Sequence, residues 1–380
     1  MKHAHVSVKK IETILTSVSK VDPSNLRSDY DSWANLAKSS WEEAQPPPLE
    51  RTYSSILFVG MGGSGITGEV VSDLSNELDS LRVDVLKDYH LPKYFSNETL
   101  VVGISASGNT EETLSVLSEA NKRGFDICTF GSGGMLEKFS NSNPRVKFTR
   151  TTMLKVPRSS FPGIFYVVLK FLVQNGYLRI SEEQVKDSID CLSRAQELCQ
   201  RASAKQNRAL EIAAAISEGK NAVPLIYSSK RTRSVGLRFR QSLNENAKTH
   251  GFHGVVPELC HNEIVGWDKN AASGKKRASR EDSGGNNFVP ISLRLEDDPL
   301  EIKTRFQIIE DILKKSRTQF MQAPSLGTTY FSRVMSMLYI LDYASYYTAI
   351  FKHVDPILTP SIDYLKAELK TRLNFFSRIV

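Results

Sequence analysis

Between residues 54 and 151 short apolar runs recur, with stretches of helical pattern between them. SSILFVG (54–60), RVDVLKD (82–88), TLVVGIS (99–105), FDICTFG (125–131) and RVKFTRT (145–151) read as five strands. Helices are predicted from about Ile66, from near Thr110 and over FPGIFYVVLKFLVQNGY (161–177). Apolar strands alternating with helices at this spacing predict a parallel sheet covered on both faces. Residues 181–219 read as a charged helical connector, after which the pattern restarts. AVPLIYSS (222–229), NFVPISLRL (287–295) and TQFMQA (318–323) are strands; VGLRFRQSLNENAK (235–248), IKTRFQIIEDILKK (302–315) and 329–351 are helices.

These elements divide the chain. Residues 1–50, polar and helical in pattern, end at Pro46-Pro47-Pro48 and form an N-terminal extension. A first domain with its connector spans 51–205, and a second, with a C-terminal helix, spans 206–380. DKNAASGKKRASREDSGGNN (268–287) is Gly/Ser-rich and basic and reads as a flexible surface insertion. The expected fold class is α/β, with two doubly wound parallel-sheet domains flanked by helices.

Composition narrows the partners. Apolar residues make up 40% of the 380 positions and charged residues 24%, as in globular proteins. A net charge of +7 suits a small anionic substrate, and no zinc-finger spacing or aromatic run favours nucleic acid. The most membrane-like stretch, 334–351, carries Asp342, two serines and four tyrosines, which argues for a buried helix. MKHAHVSVKKIETIL lacks the apolar run of a signal peptide. Four cysteines without paired spacing (Cys128, Cys191, Cys199, Cys260) read as buried thiols of a cytoplasmic protein. No histidine spacing suggests a metal.

Two loops stand at predicted strand ends, where doubly wound sheets bind ligands. GMGGSG (60–65) follows the first strand and SASGNTEET (105–113) the third. Ser105, Ser107 and Thr110 offer neutral donors, Gly108 permits close backbone approach, and a helix start favours an anion. The blander alternative makes Ser107 or Thr110 an N-cap, with Glu111 and Glu112 as first-turn charges. Gly62, Gly63 and Ser64 of the first loop complete the expected phosphate cradle. Gly60-x-Gly62-x-x-Gly65 also matches a dinucleotide fingerprint, with Asp84 where a ribose-binding acid would stand, but that scheme has no place for the hydroxyl cluster.

Strand-SxSGNTEET with GMGGSG upstream resembles the sugar isomerase (SIS) domain. LNENAKTH (243–250), VPELCHNEIVGW (256–267) and DPILTPSIDYLKAEL (355–369) resemble the bifunctional phosphoglucose/phosphomannose isomerases. The likeness covers most of 50–267 and 287–370. It implies two SIS-type domains and aldose–ketose isomerisation of glucose 6-phosphate, and mannose 6-phosphate, with fructose 6-phosphate, using no cofactor.

By that resemblance Glu245 is the base that moves hydrogen between C1 and C2, and His261 the ring-opening group. Arg158 in VPRSSF matches the arginine near the enediolate, with Lys155 as a substitute; His250 and His253 compete for the acid role. Lys366 matches the lysine at the ring oxygen, and Thr359 the threonine that admits both epimers. Ala106 stands where the family commonly has tyrosine, and Cys260 where it has asparagine. The family works as a homodimer with its site near the interface, so a dimer is expected. The rival reading is a non-catalytic SIS-type protein that binds or senses sugar phosphates.

Overall fold

The computed structural model describes residues 18–201, 206–218, 222–268, 288–316, 318 and 320–373. Residues 1–17 of the expected extension and 269–287 of the expected insertion lie outside them. The chain forms two compact units. Of the described residues, those within 26–189 and from 358 onward form one, here the five-stranded unit, and those up to 25 and within 190–357 form the four-stranded unit.

The five-stranded unit begins with helices α1 (Leu26–Asp31) and α2 (Trp33–Glu43). It continues β1 (Ser55–Val59), α3 (Gly62–Glu77), β2 (Arg82–Leu86), β3 (Thr99–Ser105), α4 (Glu111–Lys122), β4 (Ile127–Gly131), α5 (Gly134–Asn141), β5 (Val146–Arg150) and α6 (Phe161–Gln174). The sheet is wholly parallel in the order β2-β1-β3-β4-β5. All seven residues of β3 are buried, as expected of a central strand covered on both faces. On one face Leu57, Val101 and Ile127 pack with Leu114, Leu117 and Leu136 of α4 and α5. The stretch read as an extension contributes to this core: Trp33 is fully buried and donates its indole N–H to Ser159 O at 2.8 Å.

Helix α7 (Glu182–Gln200) carries the division between the units. The four-stranded unit then runs α8 (Arg208–Ser217), β6 (Val223–Ser229), α9 (Arg233–Ala247), β7 (Phe252–Val256), β8 (Phe288–Leu293), α10 (Leu300–Lys315), β9 (Met321–Gln322) and α11 (Tyr330–Phe351). Its sheet is also parallel, ordered β7-β6-β8-β9. The last described element, α12 (Pro360–Leu373), belongs to the five-stranded unit.

Three expectations need correction. The helix expected from Ile66 starts at Gly62, so the glycine loop is its first turn. The connector expected over 181–219 is two helices, and α8 buries Leu210, Ile212, Ala213 and Ile216 against α11. β7, at the sheet edge with Phe252 exposed, was not anticipated.

Candidate active site

In the five-stranded unit the carboxyl ends of β1 and β3 bring the two loops together. Ser64, 6% exposed, accepts the backbone N–H of Ala106 at 3.0 Å through its Oγ, which staples one loop to the other. The Ser64 and Gly65 amides are both taken by Met61 O. The amides of Gly62 and Gly63 have no acceptor among the described residues, so the first turn of α3 presents two unused donors. The turn is tight: a methyl on Gly65 would come 2.5 Å from Gly60 O.

Across from it, Ser105 Oγ and Thr110 Oγ1 share a hydrogen bond of 2.8 Å. Thr110 does occupy the N-cap position of α4, but its hydroxyl makes no capping bond. Ser107 Oγ accepts the Asn109 amide at 3.3 Å. Gly108 has φ of +70°, and a side chain there would run into Gly133 O. Its own carbonyl accepts Leu136 N at 2.8 Å, so the loop is braced on α5. Two amides, two helix N-termini and several hydroxyls thus stand on two loops joined through Ser64 Oγ and the Ala106 amide, an arrangement suited to one phosphate monoester. Burial, with Glu112 adding to it, raises the Glu111 carboxyl.

Arg158 lies between β5 and α6 and is 3% exposed. The segment around it is clamped from α1, where Ser159 Oγ donates to Asp29 Oδ2 at 2.7 Å, and from α2, where Trp33 Nε1 donates to Ser159 O at 2.8 Å; within the segment Leu154 N donates to Ser160 Oγ at 2.8 Å. Lys155 is bound to Asp29 Oδ1 at 2.7 Å and to Ser28 Oγ at 2.8 Å, so it serves this clamp. Asp29 had no local motif to announce it. Thr359 stands at the start of α12, its carbonyl accepting Ile362 N and Asp363 N, and Lys366 is exposed on that helix.

Glu245 and His261 belong to the four-stranded unit. Glu245, half-buried, sits in the last turns of α9, which α11 grips on either side. Ser242 Oγ donates to Asp342 Oδ1 at 2.5 Å and Asn246 Nδ2 to Ser345 Oγ at 2.8 Å, while Arg238 pairs with Asp342 at 2.7 Å. His261 is exposed at the end of a 3-10 turn, Glu258–His261. Asn262 braces that turn through Glu258 Oε1 at 2.9 Å and the Glu263 amide at 2.6 Å. His253 is on β7 with Nε2 2.7 Å from Ser228 Oγ, and burial followed by Arg240 and Arg233 lowers its pKa to about 4. His250 is exposed in the loop after α9.

The strand ends of the four-stranded unit carry no comparable cradle. Arg231, after β6, pairs with Asp297 and Asp298, after β8, at 3.1 and 3.2 Å. Thr232 Oγ1 donates to Leu293 O at 2.7 Å. Internal carboxylates and a hydroxyl fill the place that an anion would take. Among the described residues no three His, Cys, Asp or Glu side chains converge on a metal-sized site, and no helix is long and apolar enough to cross a membrane.

Residues 205–369 match the profile of the bacterial phospho-glucose isomerase C-terminal SIS domain. The bifunctional phosphoglucose/phosphomannose isomerase of Aquifex aeolicus is 30% identical over 322 residues, 84% of this chain and 91% of that protein. A D-glucosamine-6-phosphate 4-epimerase from Sulfolobus acidocaldarius is 30% identical over 274 residues, 69% of this chain and 75% of that one. In structure, a hypothetical protein from Thermus thermophilus superposes with a TM-score of 0.67 at 14% identity, covering 96% of this chain and 94% of its own. That last likeness shows a shared fold. With the Aquifex relative matched along nearly its whole length, the chain belongs to the bifunctional phosphoglucose/phosphomannose isomerase family.

Proposed function

We propose that the protein interconverts glucose 6-phosphate and mannose 6-phosphate with fructose 6-phosphate. One observation carries the reading within the family: the unbonded amides of Gly62 and Gly63 beside the Ser105–Thr110 hydroxyl pair. Neutral donors at a helix start hold a phosphate without a competing cation at the sugar end. Glu245 as base takes the C2 proton of the aldose, the enediolate forms, the hydroxyl proton passes from O2 to O1, and the first proton returns to C1 to give the ketose. Arg158 steadies the enediolate charge. His261 and Lys366 act at ring opening, and Thr359 lines the C2–C3 side. The route only relocates protons between the first two carbons and their oxygens and calls for no redox cofactor.

The proposed assembly is a homodimer with its sites near the interface. The C-terminal helix favours this: none of α12 is buried, and Ile362, Tyr364 and Leu365 are exposed, at 39, 67 and 56%. Such a helix is marginal in water without a partner. Four free thiols, three of them buried, favour a cytoplasmic setting. We assign the two sheets to two SIS-type domains.

The test is incubation with fructose 6-phosphate in heavy water. Deuterium at C2 of both glucose 6-phosphate and mannose 6-phosphate is the expected result. No turnover of either sugar would overturn the reading in favour of a binding protein. Turnover of glucosamine 6-phosphate at C4 alone would place the chain's activity with the epimerase.

A further inference from the structure

The cradle is made of neutral donors, yet a cation stands beside it that none of the roles above uses. Lys87 follows β2, the strand paired with β1. A methyl on Gly65 would come 3.0 Å from Lys87 Cε, so the lysine stem lies across the first turn of α3. Its ammonium is paired with Glu69 Oε1, one turn further along that helix. The glutamate side chain is 7% exposed and the lysine 29%. Gly65 is three residues beyond Gly62, about 4.5 Å of helix rise. An anion on the unused amides is therefore within reach of the ammonium's field, the Debye length being about 8 Å at physiological salt.

We propose that Lys87, held by Glu69, is a positioning residue for the phosphate end: its charge draws dianionic sugar phosphates to the cradle, and Glu69 sets how much of that charge they feel. This rests on reading the Ser64 and Ser105–Thr110 loops as the phosphate site. A field predicts opposite signs for two neutral variants. Lys87→Met removes a positive charge and raises KM for the sugar phosphates by about three- to tenfold, with little change in kcat. Glu69→Gln keeps an oxygen for the ammonium while removing a negative charge, and lowers KM by about twofold or more. A packing role alone would weaken binding in both.

The experiment measures KM, kcat and the inhibition constant of inorganic phosphate for wild type, Lys87→Met, Lys87→Arg and Glu69→Gln, at about 20 mM and about 0.5 M salt. The gap between wild type and Lys87→Met narrows at high salt, and Lys87→Arg restores binding. The proposal is overturned if both neutral variants raise KM, or if Lys87→Met leaves KM and phosphate inhibition where they were. Should Lys87→Met not fold, the sign of the Glu69→Gln effect decides alone. A Ser107→Ala/Thr110→Ala double variant separates the two failures. If it too leaves KM unmoved, the phosphate site is elsewhere; if it raises KM while Lys87→Met does not, only the assignment of Lys87 falls.

Discussion

Ser64 Oγ accepts the Ala106 amide, and its own proton is left to donate. Ser64→Ala takes away both. It orphans a buried N–H, at about 1–3 kcal/mol, and removes one donor from the cradle. A lower urea midpoint together with a KM raised by about tenfold is expected, whereas a purely structural hydroxyl would leave KM unchanged. His253 gives a separate pH signature. Its folded value, about 4, lies below the ordinary 6.5, so between those values the unfolded chain binds more protons. Stability from this residue is present above pH 6.5 and is lost as pH falls toward 4, by at most about 3 kcal/mol. Urea titrations across that window should fall more steeply for wild type than for His253→Asn; parallel curves would refute the assignment. The hydroxyls at 105, 107 and 110 were readable because their spacing is local. The Asp29 claim on Lys155 spans 126 residues of sequence and has no local signal.

Strands were legible where burial on both faces left an unbroken apolar run, as in β1 and β3. β7 was not: FHGVV is an edge strand whose Phe252 faces outward and whose His253 and Gly254 interrupt the run. α8 was misjudged for a related reason. RALEIAAAIS begins with charge and follows a charged helix, but its alanines let it pack closely on α11. Leu210→Ala should cost about 2–5 kcal/mol in chemical denaturation, as for a core leucine; a connector residue would cost far less. The α9–α11 pairing rests on Arg238–Asp342, both buried. Asp342→Ala leaves a guanidinium stranded and should cost about 3–5 kcal/mol, visible as a lower Tm. Because the same pairing orients the helix end that bears Glu245, kcat should fall in the surviving folded fraction.

At the scale of the molecule, two sheets of shared topology treat their strand ends differently. The five-stranded unit leaves amides and hydroxyls open, and the four-stranded unit fills the equivalent place with Asp297 and Asp298. One phosphate monoester per chain is therefore the expected stoichiometry in equilibrium dialysis; two would mean the ion pairs open. The proposed dimer is tested by Leu365→Glu combined with Ile362→Glu, which should shift sedimentation from two chains to one. Topology was readable from the alternation of strand and helix. The contrast between the two sets of strand ends was not, because it depends on an arginine meeting aspartates 66 and 67 residues away.

Gly108 and Gly133 meet backbone to backbone at the strand ends, with no room for a side chain on the first. A library of substitutions through 105–134 should thus show two kinds of intolerance. One belongs to groups proposed to touch the sugar phosphate and is relieved when selection asks only for a folded chain. The other, at Gly108, persists under either selection, since there the fold and the cradle share a single steric requirement.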